Sequence, residues 1–282
     1  MDTRDQKTVQ GFGREWNKFD HSGRPEAELG DTFAQYFRIF PWDSLPRNAV
    51  GFDLGCGTGR WARFVAPRVG MLVCIEASKE AMRVARRNLA GQENCRFILA
   101  SAGDLPFREG TMDFGYALGV LHHTLDPLRG IRDCVAALRP GGALLLYLYY
   151  ALDNRPKWYR MLWRASDFLR RSISRSPWPL RYGLSQLFAA TVYYPLARTA
   201  LIGERLGLDV SNFPLTAYRK RSFYTMRNDA LDRFGTRLEK RFTSGEVRDM
   251  MEAAGLDTIT FADGPPYWCA VGRRKQISSE VE

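Results

Sequence analysis

Residues 53–61 read Asp53-Leu54-Gly55-Cys56-Gly57-Thr58-Gly59-Arg60-Trp61 and directly follow a short apolar run, Ala49-Val50-Gly51-Phe52. Glycines at alternate positions let the backbone turn sharply and leave space for a ligand against main-chain atoms. A second apolar run, 71–75, leads to Glu76. Glu76 follows the loop by about 20 residues, the separation at which an acidic side chain in a βαβ unit reaches a ribose hydroxyl pair. These residues predict a strand, a ligand-binding loop and a helix.

The glycine spacing differs from that of dinucleotide sites. Such sites prefer Gly-x-Gly-x-x-Gly, whereas here Gly59 comes one residue early and Arg60 follows it. With Asp53 before the loop, residues 53–61 resemble motif I of the class I S-adenosylmethionine (SAM) methyltransferases, and Glu76-Ala77-Ser78 resembles their motif II. The resemblance implies SAM as the cofactor. The Arg60 guanidinium can bind the methionine carboxylate of SAM through two parallel hydrogen bonds, or lie on the surface of the first helical turn.

A later segment, 97–107, resembles the adenine-contacting segment of the same family. The family usually has an aspartate, an alanine and a glutamate before Leu-Pro-Phe, but Ser101 and Gly103 stand at the two acidic places here. Ser101 can still hydrogen-bond the adenine amino group and the Ala102 amide can face the ring, although a charge-assisted hydrogen bond is lost. The resemblance as a whole implies cofactor contacts from Asp53, Gly55, Cys56, Gly57, Gly59, Arg60, Glu76, Ala77, Ser101, Ala102 and Leu118.

Two of the three histidines lie in the run Gly119-Val120-Leu121-His122-His123-Thr124-Leu125-Asp126-Pro127. Together with Leu138-Arg139-Pro140-Gly141-Gly142, this run resembles a standard pairing of the methyltransferase family, in which residues after the fourth strand border the reacting methyl group. A histidine there can deprotonate an acceptor hydroxyl or amine. We predict His123 as this base, with His122 as the alternative, and Asp126 as a helix N-cap. No metal site is predicted, because adjacent histidines rarely face one ion.

Strand-like and helix-like segments alternate from residue 49 to residue 150, which predicts a mostly parallel sheet with helices on both faces. Strands are predicted at 50–54, 71–75, 96–100, 112–117 and 143–149. Helices are predicted at 61–69, 78–89 and 127–138. Ser78 is the expected N-cap of the second helix, and Pro140-Gly141-Gly142 is expected to stop the third.

The C-terminal part returns to regular structure after an irregular stretch rich in Trp, Tyr and Arg. Thr243-Ser244-Gly245-Glu246 offers a capping box for a helix at 246–254, and segments 256–261 and 267–272 predict a hairpin. This order resembles the methyltransferase family, in which the last strand inserts antiparallel beside the fifth. The resemblance implies an α/β fold with a Rossmann-like, doubly wound, mostly parallel seven-stranded sheet and a helical lid insertion.

The predicted organisation has five parts. They are an N-terminal extension (1–48), a SAM-binding core (49–150), the helical lid (151–241), a C-terminal helix and hairpin that complete the core (242–275), and a tail (276–282). The aromatic residues of the extension, including Phe12 and Trp16, are expected to pad the edge of the domain rather than touch ligand. The aromatic residues of the lid either cover the substrate or pack together as a separate hydrophobic core of the lid.

The chain carries a formal net charge of +10, and the positive charge is concentrated in the predicted lid. Between Arg155 and Arg181 there are eight basic residues and a single acid, Asp167. A second basic cluster occupies 219–221. Such a surface is either a solvated helix face or a binding surface for an anionic substrate, a membrane or nucleic acid. Nucleic acid is the least favoured partner, because no RNA-binding signature is present.

Composition narrows the protein class and its expected location. A hydrophobic content of 45% excludes a disordered chain, and the first seven residues contain no apolar signal segment. The five cysteines are scattered and odd in number, which suits a reducing cytosol. The longest uncharged run, 182–197, is shorter than the roughly 20 residues that a transmembrane helix needs. We expect a cytoplasmic protein, with contact of the basic lid with a membrane surface left open.

Three functional hypotheses follow. The favoured one is a SAM-dependent methyltransferase that transfers a methyl group to oxygen or nitrogen of an amphipathic or anionic small molecule, such as a glycan, lipid, quinone or secondary metabolite. The first alternative keeps the SAM site but transfers another group or cyclises the methionine chain. The second is a non-catalytic adaptor that binds a membrane or partner through the lid. The oligomeric state cannot be predicted.

Overall fold

The computed structural model describes residues 6–276, so that the predicted tail lies outside the described residues except for residue 276. Two compact units are present. The sheet unit contains 6–17, 30–151 and 238–276 of the described residues, and the helical unit contains 18–29 and 152–237. The helical unit therefore takes in part of the N-terminal extension as well as most of the segment predicted as a lid.

The sheet unit is built on seven strands in the order β3-β2-β1-β4-β5-β7-β6. Strands β1 to β5 pair in parallel, and β7 runs antiparallel to both of its neighbours, which confirms the predicted sheet. The strands are β1 Val50–Leu54, β2 Met71–Glu76, β3 Cys95–Leu99, β4 Met112–Leu118, β5 Leu138–Tyr147, β6 Leu256–Phe261 and β7 Cys269–Arg274.

Ten α-helices accompany these strands in residues 6–276. Six have residues in the sheet unit: α1 Gln6–Lys18, α2 Glu26–Phe37, α3 Ala62–Val65, α4 Lys79–Asn88, α5 Pro127–Ala137 and α10 Ser244–Ala253. The other four belong to the helical unit: α6 Lys157–Ile173, α7 Trp178–Phe188, α8 Tyr194–Arg205 and α9 Phe223–Gly235. No helix among these residues is both long and apolar enough to cross a membrane.

Side-chain alternation along the strands places a separate apolar cluster on each face of the sheet. Leu145 belongs to one cluster with Phe37 and Tyr116, whereas Leu144 belongs to the other with Ile131. All five side chains are buried. Both faces of the sheet are thus covered by packed apolar side chains.

Two predicted boundaries are wrong for reasons that concern the backbone. The helix after β1 was expected over 61–69, but α3 stops at Val65 and a 3-10 turn follows at Ala66–Arg68. Pro67 lies in that turn and has no amide hydrogen to continue the α-helical ladder. Strand β5 begins at Leu138 rather than residue 143, so that the Pro-Gly-Gly sequence lies inside it at a register shift. Gly141 adopts a φ of +78° there, which a glycine accepts readily.

Helix caps were predicted correctly because they depend on neighbouring residues. The Ser78 hydroxyl accepts from the Ala81 amide at 3.3 Å, and the Asp126 carboxylate accepts from the Arg129 amide at 3.0 Å. Each cap satisfies an amide that has no partner within its helix. Helices α4 and α5 therefore begin where the sequence indicates.

Replacing Thr243 by alanine tests the capping box of α10. The Thr243 hydroxyl accepts from the Glu246 amide at 3.2 Å, and the Glu246 carboxylate accepts from the Thr243 amide at 2.8 Å. We expect Thr243→Ala to lower the free energy of unfolding by about 1 kcal/mol. Urea denaturation measures this change. The control Ser244→Ala alters the first helical residue outside the box, and an equal loss in both variants would contradict the assignment.

Candidate functional site

The glycine loop leaves β1 in a conformation that other residues rarely adopt. Gly55, Gly57 and Gly59 have φ angles of +73°, +56° and +78°, all in the left-handed region. The amides of Gly55 and Cys56 both donate to the carbonyl of Ile75, at 2.8 and 2.9 Å. The loop is thus tied to the end of β2. A Cβ at Gly55 would collide with Val120 and one at Gly59 with Leu89, so these two glycines allow the loop to pack closely against its neighbours, whereas Gly57 borders the cavity beside Trp16.

Glu76 ends β2 directly beside this loop. Its Oε2 accepts from the Gly57 amide at 3.0 Å and its Oε1 accepts from the Ser78 amide at 2.9 Å. Burial raises the pKa of Glu76, although these two amides and that of Ala77 favour its ionised form. A carboxylate has about four acceptor positions, so that two remain for donors from a ligand such as a ribose diol.

A cavity of about 900 Å³, including its open mouth, lies over the carboxyl ends of β1, β2 and β4. Parallel α/β sheets bind ligands at this edge. Ten of the predicted site residues line it: Gly55, Cys56, Gly57, Arg60, Glu76, Ala77, Ser101, Ala102, Leu118 and His123. Three predicted residues, Asp53, Gly59 and His122, are not part of its lining.

Helix α1 supplies a wall that the sequence analysis did not assign to the site. Thr8, Phe12 and Trp16 line the cavity together with Val9. The expectation that the aromatic residues of the extension do not face ligand space is therefore wrong for Phe12 and Trp16, whereas Phe33 and Phe37 pack in the core as expected. Their spacing of four residues places Thr8, Phe12 and Trp16 on one helix face. This four-residue spacing is visible in the sequence and indicates that the three side chains share one surface. It does not identify what that surface contacts.

The Arg60 guanidinium lies close to two indole rings. Its guanidinium carbon is 5.2 Å from the Trp16 ring centroid and 4.7 Å from that of Trp61. Cation–π contacts of this kind use the flat faces of the guanidinium, while its N–H donors lie at the edge. The arrangement orients Arg60 at the cavity without using the donors that a carboxylate would need.

The segment that resembles the adenine-contacting one turns sharply at Gly103. Gly103, which replaces the family's glutamate, has a φ of +91° and its carbonyl accepts from Arg129 Nη2 at 3.0 Å. A glutamate in that conformation would be strained. Ser101 and Ala102 line the cavity immediately before this turn.

His123 is held in one tautomer by its backbone partner. Its Nδ1 lies 2.7 Å from the carbonyl oxygen of Leu238. A carbonyl only accepts, so Nδ1 carries the proton and the neutral ring keeps a lone pair on Nε2. That Nε2 is buried and has no hydrogen-bond partner within residues 6–276. The Phe12 ring lies 4.9 Å from the imidazole, between ring centroids.

His122 has the opposite tautomer and a different environment. The Tyr149 amide donates to its Nδ1 at 3.4 Å, and the two rings stack at 3.7 Å. Burial is the main cause that holds the pKa of His122 well below its usual value, with smaller contributions from His123 and Arg241. His122 is therefore a neutral, packed side chain, and the structure separates the two histidines into a cavity residue and a core residue.

Cys56 lines the cavity but is not an activated nucleophile. A hydrogen bond with Cys74 favours its thiolate, yet burial and the nearby charges of Asp53 and Glu76 raise the pKa of Cys56 to about 11. A thiol with this pKa stays protonated at neutral pH. Across residues 6–276, no group of three or more His, Cys, Asp or Glu side chains is placed to hold a metal ion.

Asp53 lies in β1 outside the cavity lining and is almost fully buried, with 2% of its surface exposed. Burial raises the pKa of Asp53 to about 8, and the charge on Glu76 adds to the shift. The Tyr116 hydroxyl and Arg60 act in the opposite direction. Asp53 is consequently protonated in much of the folded protein at neutral pH.

We expect Asp53→Asn to flatten the pH dependence of stability. In the wild type the folded state keeps a proton that the unfolded state releases near pH 4, so stability falls as the pH rises from about 4 to about 8. The slope from this one group is up to about 1.4 kcal/mol per pH unit. Urea denaturation across this range measures it. The exposed Asp263→Asn should leave the slope unchanged, and an unaltered slope in Asp53→Asn would refute the buried-proton assignment.

Comparison with known proteins identifies the domain around this cavity. Residues 52–146 match the methyltransferase-domain family. A segment is 31% identical over 94 residues to a demethylmenaquinone methyltransferase of Clavibacter sepedonicus, covering 33% of this chain and 38% of that protein. Another is 28% identical over 134 residues to a ubiquinone biosynthesis O-methyltransferase of Xanthomonas campestris, covering 47% of this chain and 54% of that protein.

A solved SAM-dependent methyltransferase from Thermotoga maritima shares the fold, with a TM-score of 0.50 and 14% identity, over 94% of this chain and 100% of that one. The chain spans about a third to a half of the length of the curated relatives that it matches. The family match contains the glycine loop, Glu76 and the histidine pair. Residues 52–146 of this chain therefore form a methyltransferase domain with the fold of the class I SAM-dependent enzymes, a family and fold that imply S-adenosyl-L-methionine as the cofactor.

Proposed function

We propose that the protein transfers a methyl group from SAM to an oxygen or nitrogen atom of an amphipathic or anionic small molecule, with His123 as the general base. The observation that carries this proposal is the position of His123 on the wall of the same cavity as the glycine loop and Glu76. Its backbone-fixed tautomer supports a role in accepting a proton.

The residues present fit SAM at this cavity. Glu76 retains acceptor positions for the ribose hydroxyls, and Gly57 leaves space on the cavity wall beside Trp16 that a side chain would fill. Ser101 and Ala102 are assigned to the adenine, and the edge of Arg60 to the methionine carboxylate. Leu118 and the aromatic residues of α1 complete the wall. When bound, SAM supplies a methyl group made electrophilic by its sulfonium, so the protein mainly has to orient the acceptor and exclude water.

Removal of a proton is the remaining chemical task if the acceptor is a hydroxyl or a protonated amine. The Leu238 carbonyl keeps the proton of the neutral His123 ring on Nδ1, which leaves Nε2 able to take a proton from the acceptor. After that step the imidazolium would still donate to Leu238 through Nδ1. The carbonyl dipole would then stabilise the charged ring that forms.

The acceptor class is proposed from composition and from the relatives. All eight basic residues from Arg155 to Arg181 lie in the helical unit, and their charge suits an anionic or amphipathic acceptor. The two curated relatives are named for demethylmenaquinone and for ubiquinone biosynthesis, so quinol-type phenols are the first acceptors to test. Glycans, lipids and secondary metabolites with an ionisable hydroxyl or amine follow.

Calorimetry with SAM and with S-adenosylhomocysteine tests the cofactor assignment. We expect both to bind to the purified protein, and absence of heat with either would overturn the proposal. Incubation with SAM and a panel of phenols, quinols and amines then tests the reaction. Release of S-adenosylhomocysteine that depends on one acceptor class supports methyl transfer.

A second candidate keeps the SAM site and changes the chemistry. The altered adenine segment, with Ser101 and Gly103 in place of two acidic residues, is the observation that favours it. Product analysis separates the two candidates, because transfer of another group or cyclisation of the methionine chain releases methylthioadenosine. If methylthioadenosine accumulates instead of S-adenosylhomocysteine, methyl transfer is excluded.

A further inference from the structure

Helix α6 of the helical unit buries a charged pair beside Ile173 and exposes several large apolar side chains. Asp167 and Arg170 are buried, and Arg170 Nε donates to Asp167 Oδ1 at 2.6 Å. Met161 and Phe168 are instead 69% and 78% exposed. A surface helix normally buries its apolar side chains and exposes its charges. Large apolar side chains exposed on one face of a helix indicate that the outward face of α6 contacts an apolar environment.

The exposed apolar residues of α6 form one continuous surface. Trp158, Leu162 and Leu169 are 50%, 52% and 43% exposed. Their spacing follows that of a helix with 3.6 residues per turn, so they make a row beside Met161 and Phe168. Five large apolar side chains thus face outward over three turns, more than isolated surface residues would explain.

Basic residues run along the same outward face. Lys157, Arg164 and Arg171 are exposed and are seven residues apart, which places them in one row with Met161 and Phe168. Arg175 follows just beyond the end of the helix and is also exposed. The row alternates cationic and apolar side chains. The acid of this helix, Asp167, is buried and accepts from Arg170 and from Arg171 Nε, whose side chain remains 65% exposed.

We propose that α6 docks the protein on a membrane surface that contains anionic lipids. The apolar row would enter the boundary between headgroups and acyl chains, and Lys157, Arg164 and Arg171 would contact the lipid phosphates. Tryptophan at one end of the row suits this depth, because its ring is apolar and its N–H is polar. The association is interfacial, and it is independent of the reaction that the sheet unit catalyses.

Charge favours a lipid surface over a second copy of the chain. A twofold contact through α6 would bring two identical basic rows together, and their repulsion would oppose the apolar gain. Anionic headgroups complement the same row. The long stems of lysine and arginine can also lie along an apolar boundary while their charges remain at the phosphates.

Vesicle flotation tests the proposal with the full-length protein. We expect it to float with mixed phosphatidylcholine–phosphatidylglycerol vesicles, to float poorly with phosphatidylcholine alone, and to dissociate as salt is raised. The double variant Met161→Ser/Phe168→Ser should lose about ten-fold or more of the vesicle affinity. The matched control Leu206→Ser/Leu208→Ser removes two side chains of the same unit that are 72% and 63% exposed, and should bind as the wild type does.

The charge contribution is tested separately. Arg164→Gln should weaken binding to the mixed vesicles by about five-fold, whereas Arg205→Gln, another exposed arginine of the helical unit, should not. Circular dichroism and SAM calorimetry check that every variant is folded. Absence of flotation, flotation that survives the Met161/Phe168 change, or conversion of a dimer into a monomer by that change would each overturn the proposal. The last result would assign α6 to an interface between copies.

Discussion

Gly57→Arg is expected to abolish measurable SAM binding, with a loss of at least about 100-fold. Gly57 has a φ of +56°, and a Cβ at this position would lie 3.3 Å from Trp16 Nε1. The left-handed conformation costs a non-glycine residue about 1–2 kcal/mol, which is close to ten-fold in an equilibrium constant. The rest of the arginine side chain would extend into the cavity and occupy space assigned to the cofactor. Calorimetry with SAM and S-adenosylhomocysteine measures the effect.

Gly110→Arg is the matched control for this change. Gly110 also has a positive φ, +71°, but a Cβ there meets nothing within 4 Å and the residue is not part of the cavity lining. Both substitutions should therefore lower the free energy of unfolding by a similar amount, because each places a non-glycine residue in the left-handed region. Only Gly57→Arg should lose SAM binding. Equal SAM affinities in the two variants would show that the cofactor binds elsewhere. If Gly57→Arg lost SAM binding but kept its cellular activity, a non-catalytic adaptor would become the better explanation.

His123→Asn is expected to lower turnover by about 10² to 10⁴-fold with little change in SAM affinity. The asparagine amide can still donate to the Leu238 carbonyl, but it has no group that can accept a proton from the acceptor. The change therefore removes the base and keeps the backbone contact. Conversion of SAM to S-adenosylhomocysteine with the best acceptor of the panel measures turnover, and calorimetry measures cofactor affinity.

His122→Asn separates the neighbouring ring from the same role. His122 is outside the cavity lining and accepts from the Tyr149 amide, so its replacement should cost stability and leave most of the turnover. Full activity in His123→Asn would mean that the acceptor needs no base from this residue. If only His122→Asn lost turnover, the base would have to be reassigned to His122.

The core of the fold followed from local patterns. Alternating apolar runs and helical segments predicted a mostly parallel sheet, and the capping residues Ser78, Asp126 and Thr243 located three helix starts. These features depend on residues that are close together in the chain. Their hydrogen bonds and their periodicity can therefore be predicted without knowing which distant segments pack against them. The glycine loop is of the same kind, since its φ angles follow from the residues themselves.

The predicted ends of α3 and β5 were wrong, because in each case one structural preference opposed another. Apolar residues up to Val69 favoured a continued helix, but Pro67 removed an amide donor and ended α3 early. The Pro-Gly-Gly sequence favoured a turn, but pairing with β4 drew it into β5 as an irregular segment. In the second case hydrogen bonding to β4, a strand distant in sequence, outweighed the local preference for a turn.

The glycine spacing, Glu76 and the succession of strand-like and helix-like segments resembled a SAM-binding family closely enough to predict the sheet and its cofactor, because these patterns are formed by near neighbours in the chain. Tertiary packing alone determined which side chains share the cavity. The Leu238 carbonyl that sets the His123 tautomer is 115 residues away. Trp16 reaches Arg60 from α1, and burial in β1 moves Asp53 out of the lining and keeps its proton. Such contacts arise when distant segments lose water together, and no local pattern encodes which segments those are.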